Sequence, residues 1–138
     1  MQTIHDTIII DGQEIPFTKG QTIMDAALAA RVYIPHLCHY PGLTPSGNCR
    51  LCTVDIGSKS VAACITPAAA GQEISNNTPA LNEARKSITQ MLFVEGNHIC
   101  PSCEKTGNCK LQAMGYYLGM LEDHFPYFYQ HREVDASH

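Results

Sequence analysis

The sequence predicts a small α+β protein built as two units. Three observations lead there. Short β-branched runs alternate with turn signals and one alanine-rich helix over roughly the first 75 residues, a small mixed unit by pattern. A longer helical segment follows, with its own start signals. The seven cysteines fall into two groups, one in each unit. The 138 residues suffice for one ordinary domain or two small ones. With 44% hydrophobic and 16% charged residues, the composition is globular and not that of a disordered polyelectrolyte.

Thr7-Ile8-Ile9-Ile10 is β-branched and ends at Asp11-Gly12, a strong hairpin signal. Glu14 to Phe17 is the returning strand. Thr22-Ile23-Met24-Asp25 forms a capping box, with the Thr22 hydroxyl on free N–H groups and Asp25 reaching back. The alanine-rich stretch to Arg31 continues as helix by propensity. Pro35, Pro41, Gly42, Pro45 and Gly47 keep the next stretch irregular. Thr53 to Ile56 and Ser60 to Ala63 pair across a Gly57-Ser58 turn. Gly71 to Ile74 adds a last short strand.

Thr78 caps the next helix and Pro79 suits its first position. Leu81, Ala84, Ile88, Met91 and Leu92 follow helical spacing and predict an apolar core face. Gly96 stands where a left-handed cap belongs. Asn97 to Cys109 is a loop, and Leu111, Met114, Tyr117 and Leu118 indicate a further helix. The aromatic tail from Phe125 to Tyr129 has two open readings: a docking surface, or a segment packed back on the second unit.

Several function classes are excluded at this level. No apolar run approaches the roughly 20 residues of a membrane span. Met1 to Asp6 lacks a basic cluster and an apolar core, which predicts no signal peptide and a cytoplasmic protein. Net charge is −4 without a Lys/Arg stripe, so nucleic-acid binding has no support. There is no Gly-rich dinucleotide fingerprint, P-loop or Gly-x-Ser-x-Gly elbow. The chain is expected to catalyse nothing by itself.

The chemistry lies in the cysteines. The first group is Cys38-x10-Cys49-x2-Cys52-x11-Cys64, and the second is Cys100-x2-Cys103-x5-Cys109 with His98 two residues ahead. In a reducing compartment such clusters are metal ligands sooner than cystines. Four thiolates complete a [2Fe–2S] site, because soft sulfur donors match iron. Small residues in Pro45-Ser46-Gly47-Asn48-Cys49 allow backbone N–H groups to approach the sulfurs. Three thiolates leave one corner of a [4Fe–4S] cluster open, and the His98 imidazole can close it. A neutral ligand in place of a thiolate raises the reduction potential. The bland alternative at both sites is structural zinc, held by four cysteines in one and by three cysteines and a histidine in the other. The chain would then be a zinc-stapled interaction module. A thioredoxin-like role for Cys49 and Cys52 fits less well, since the pair precedes a strand. His36 and His39 flank Cys38 and would be ligands only if a cysteine were redundant; otherwise they lie at the rim of the loop, while His124, His131 and His138 read as surface residues.

Cys49-Arg50-Leu51-Cys52-Thr53-Val54 in this strand order resembles a β-grasp ferredoxin-type [2Fe–2S] domain. The ten-residue gap from Cys38 to Cys49 differs from the four-residue plant-type gap. It is similar to the N-terminal domain of the complex I 75 kDa subunit family. That family includes the diaphorase small subunit of NAD-reducing hydrogenases and the N-terminus of NAD-linked molybdenum formate dehydrogenases. His98 to Gln112 resembles the family's [4Fe–4S] motif of one histidine and three cysteines, with the shorter His-to-Cys spacing of the hydrogenase and formate dehydrogenase members. The resemblance implies a [2Fe–2S] β-grasp domain over 1–78 and a small helical [4Fe–4S] domain over 79–124. Residues 125–138 would be a tail or linker toward a C-terminal ferredoxin domain. It also implies Cys38, Cys49, Cys52 and Cys64 as ligands of one cluster, and His98, Cys100, Cys103 and Cys109 of the other. The implied partners are a flavin/NAD(H)-binding diaphorase subunit and hydrogenase subunits, or those of a formate dehydrogenase.

Overall fold

A computed structural model describes residues 6–96, 98–120 and 137. The chain separates into two compact units, 1–85 and 86–138. The predicted aromatic tail from Phe125 to Tyr129, with His124, His131 and His138, lies outside the described residues.

The first unit opens with a hairpin. Strand β1 (Asp6–Ile10) pairs antiparallel with β2 (Gln13–Phe17), placing Ile8 opposite Ile15 and Ile10 opposite Gln13. Asp11 and Gly12 take φ values of 49° and 83°, the two positive values a type I′ turn demands. Thr22 caps helix α1 (Ile23–Ala29) in the expected box: Asp25 N–H donates to Thr22 Oγ1 at 3.1 Å, and Thr22 N–H donates to Asp25 Oδ2 at 3.0 Å. The helix stops at Ala29, short of the expected end, because Arg31 turns left-handed at φ 58°.

Strands β3 (Thr53–Ile56) and β4 (Lys59–Ala62) form a second antiparallel hairpin. The short strand β5 (Glu73–Ser75) joins the hairpins, parallel to β1 and antiparallel to β3. The sheet order is therefore β2-β1-β5-β3-β4. This is a β-grasp, ferredoxin-like α+β fold. Its core gathers Ile8, Ile10, Ile15 and Phe17 from the first hairpin, Ile23, Met24, Ala26 and Ala27 from α1, and Val54, Ala62 and Ile74 from the other strands. Period-2 alternation sends those strand residues to one face.

Helix α2 (Pro79–Glu95) starts as predicted, with Leu81 N–H donating to Thr78 Oγ1 at 3.2 Å. Its buried row shares only Leu81 with the predicted one. Leu81, Arg85, Thr89, Gln90 and Phe93 are buried, whereas Ala84 is exposed and Met91 is 52% exposed. A polar row can go inside when its groups find partners there, and Arg85 does. Gly96 also departs from expectation, since it is not among the residues with positive φ. The second unit continues with a 3-10 turn at Cys100–Ser102 and helix α3 (Lys110–Tyr117), whose N-cap is Cys109. No described helix is long and apolar enough to cross a membrane.

Candidate metal centres

In the first unit the fold brings the four separated cysteines into one neighbourhood. Cys52 ends the irregular loop just before β3, and Cys64 follows β4. Since β3 and β4 pair, Cys52 and Cys64 meet at the same end of the hairpin, where Ala63 N–H donates to Cys52 O at 3.1 Å. Both are fully buried and belong to the core. Cys38 and Cys49, from the loop, are half-buried.

The electrostatics of these thiols are opposed. Burial pushes Cys38 up. Hydrogen bonds from the Cys49 backbone and thiol, then from Ser46 and the Asn48 backbone, outweigh it and hold Cys38 at about 7 against an ordinary 9.0. The loop at Ser46 to Cys49 thus aims its donors at sulfur, as its small residues suggest. Gly47 sits at φ +68°, and a Cβ there would lie 2.8 Å from Ile65 Cδ1. Arg50 is also left-handed, at φ 59°, which turns the chain between Cys49 and Cys52. Burial pushes Cys64 up to about 12, and the hydrogen bond and charge of Cys52, with Cys38 and Cys49, push the same way. Such a set cannot carry four thiolates without a cation to balance them, and bound metal drives off the protons. His39 Nδ1, beside Cys38, is buried with no hydrogen-bond partner. The four convergent thiols suit a cationic iron–sulfide core, and the orphaned imidazole nitrogen beside them is a polar group such a guest could engage.

The second unit presents an open hollow of about 280 Å³, solvent-facing space included. His98, Cys100, Cys103 and Cys109 all line it, with Phe93 and Leu111 as apolar wall. Successive tight turns shape the rim: Cys103 N–H donates to Cys100 O at 3.1 Å, Thr106 N–H to Cys103 O at 3.1 Å, and Asn108 N–H to Lys105 O at 2.9 Å. Gln112 clasps the loop from α3. It accepts from Gly107 N–H at 2.8 Å and donates to Thr106 Oγ1 at 3.0 Å. Nothing in the sequence pattern announces that clasp, although Gln112 stands in the same motif.

The role of Gly96 emerges here. A Cβ on Gly96 would lie 3.0 Å from His98 Nε2 and 3.3 Å from its Cδ2. Phe93 holds the same ring edge-on, with centroids 5.7 Å apart. The glycine is needed for close approach of the imidazole, not for a left-handed cap. At a compatible φ, Gly→Ala ordinarily stabilises by about 0.4–1 kcal/mol. Gly96→Ala is expected instead to displace His98, lower the occupancy of the second site and alter its EPR signal. Iron content and EPR of the variant check this, with the first site as the unchanged reference.

Among the described residues no group of three or more His, Cys, Asp or Glu is arranged to hold a metal ion. Four sulfurs about 2.3 Å from a single zinc stand about 3.8 Å apart. In a [2Fe–2S] cluster two ligands share each iron, and in a [4Fe–4S] cluster each ligand binds its own, so the four together stand wider than around one zinc.

A ferredoxin-like fold with four gathered thiols, followed by a Cys/His-lined hollow, defines an iron–sulfur protein. The comparisons with known proteins agree. The family profile described as "2Fe-2S iron-sulfur cluster binding domain" matches residues 6–79. The profile "NADH-ubiquinone oxidoreductase-G iron-sulfur binding region" matches residues 85–124. The chain belongs to this family of [2Fe–2S] cluster-binding domains, with a [4Fe–4S] binding region appended. It is 42% identical over 130 residues to the gamma subunit of the NAD-reducing hydrogenase HoxS of Cupriavidus necator, an alignment covering 94% of this chain and 56% of the relative. It is 33% identical over 114 residues to the NADH-ubiquinone oxidoreductase 75 kDa subunit of Reclinomonas americana, covering 81% of this chain and 16% of that protein. A crystal structure of NAD+-reducing [NiFe]-hydrogenase in the H2-reduced state contains a chain that superposes with a TM-score of 0.89 at 47% identity. That match covers 96% of this chain and 57% of the other. The chain thus spans a little over half the length of its hydrogenase relatives.

Proposed function

We propose that the chain is an electron-relay subunit of a cytoplasmic NAD-linked hydrogenase complex, passing electrons between a flavin/NAD(H)-binding diaphorase subunit and the hydrogenase subunits. Cys38, Cys49, Cys52 and Cys64 hold the [2Fe–2S] cluster within residues 1–78. His98, Cys100, Cys103 and Cys109 hold the [4Fe–4S] cluster within 79–124. The observation that carries this reading is the partition of the ligands: four convergent thiols in one unit and three cysteines with one histidine around a single hollow in the other. Held by these residues, a bound cluster would supply one-electron transfer, with no bond to substrate formed or broken. The chain's own part is to hold the clusters, aim N–H donors at their sulfurs and keep water from the buried side.

The hydrogenase reading is favoured over a formate dehydrogenase by the likeness to the hydrogenase relative along nearly the whole chain. The test uses the intact complex, purified without oxygen. Both hydrogen and NADH are expected to reduce its clusters, read by EPR, while formate leaves them oxidised. Reduction by formate and not by hydrogen would assign the chain to a formate dehydrogenase.

A further inference from the structure

Arg85 is buried to 2% exposure, a rare place for a guanidinium. It is charged at every accessible pH, and its five N–H donors must all be used if burial is to be tolerated. They are. Nε donates to Leu51 O at 2.9 Å. Nη1 donates to Asn76 O at 2.8 Å and to Asn82 Oδ1 at 3.1 Å. Nη2 donates to Thr53 O at 2.9 Å and to Asn76 Oδ1 at 2.8 Å.

Two of those acceptors are the carbonyls on either side of Cys52. The Leu51 carbonyl belongs to the peptide that carries the Cys52 N–H. Pinning it and the Thr53 carbonyl to one planar, rigid fork fixes the backbone that sets the Cys52 thiol's direction. The network reaches the other end of the site as well. Asn76, itself 4% exposed, donates from Nδ2 to Tyr33 O at 3.1 Å, at the entrance to the loop that carries Cys38. Asp11 holds the Asn76 N–H at 2.8 Å from the first hairpin turn.

A guanidinium held in a protein interior is little screened by water, so its charge is felt by whatever lies beside it. Beside Cys52 that would be a [2Fe–2S] cluster on four thiolates. It is anionic, and it becomes more so on reduction. We propose that Arg85 is a positioning residue for the [2Fe–2S] cluster, fixing the backbone on both sides of Cys52 and stabilising the reduced state with its buried charge. This rests on the reading of Cys52 as a cluster ligand. It gives α2, which begins after the β-grasp strands, a function in the first site.

The experiment compares R85Q and R85K with the wild type in the intact complex. Both cluster potentials are followed by EPR-monitored redox titration, and the [4Fe–4S] cluster serves as internal reference. R85Q removes the charge and most of the fork. Its [2Fe–2S] potential is expected to fall, shifting the reduced-to-oxidised ratio at fixed poise on the order of tenfold, about 59 mV for one electron. R85K keeps the charge with fewer and less rigid donors, and is expected to fold and to lie between wild type and R85Q. If R85Q fails to assemble, R85K against wild type decides. A wild-type [2Fe–2S] potential in whichever variant assembles would overturn the proposal, as would an equal shift of both clusters. Cys52→Ser is run in parallel. An unchanged two-iron signal there overturns the ligand reading itself. An altered one, with wild-type potentials in the arginine variants, overturns only the role of Arg85.

Discussion

Cys103→Ala is expected to abolish the four-iron cluster and leave the two-iron cluster in place. Cys103 is exposed on the rim of the hollow, between Cys100 and Cys109. Its loop is held by single-turn hydrogen bonds and the Gln112 clasp, and few of its residues are buried. Such a segment draws much of its order from the metal it binds, since cluster binding there is also folding free energy. Losing a thiolate therefore costs the cluster and the loop together. The consequence stays local if the two sites fold on separate supports. The proposed [2Fe–2S] ligands stand on the β-grasp unit, with Cys52 and Cys64 in a core built from the first unit's own residues. Iron and sulfide counts should fall by the content of one four-iron cluster. The four-iron EPR signal should vanish while the two-iron signal keeps its shape. The reciprocal variant, Cys52→Ala, should do the opposite. It should also cost more stability, because it disturbs a packed core as well as a ligand.

His98→Cys is expected to retain a four-iron cluster and lower its potential. The imidazole lines the same hollow as the three cysteines, placed there by Gly96 and Phe93. A thiolate in its place adds one negative charge to a site already carrying three. That charge opposes the next electron, as the contrast between histidine-ligated and all-cysteine centres shows in the other direction. The reading is the midpoint potential of the variant against wild type, with the two-iron cluster as reference. An unchanged potential would show that His98 does not bind the cluster. His98→Ala should be harsher, since it leaves the fourth position without a protein donor.

Local devices are the part of this fold that the sequence makes legible. The hairpin at Asp11-Gly12 and the capping box at Thr22 and Asp25 are complete within a few residues, and each is found as read. The division of the cysteines is likewise a property of spacing. Long-range pairing is less accessible. The three residues of β5 are too few to announce that they join both hairpins, because the partners that define that place lie far away in the chain. Periodicity misses the buried row of α2 for a physical reason. It counts apolar residues, so it favours Ala84, Ile88 and Met91 over a row containing Arg85, Thr89 and Gln90. Burial of Arg85 depends on carbonyls at Leu51, Thr53 and Asn76, and no pattern within the helix encodes them. Gly96 misleads in a related way. Its identity is required by a ring two residues on, not by its own φ.

The two ligand groups are proposed to hold two different iron–sulfur clusters. The most direct measurement is EPR of the anaerobically purified and reduced protein, with iron, acid-labile sulfide and zinc determined on the same sample. The expected result is a brown protein with two separable signals, one from a two-iron and one from a four-iron cluster, iron and sulfide in equal amounts, and no stoichiometric zinc. A colourless protein that binds zinc at both sites and gives no EPR signal would contradict it.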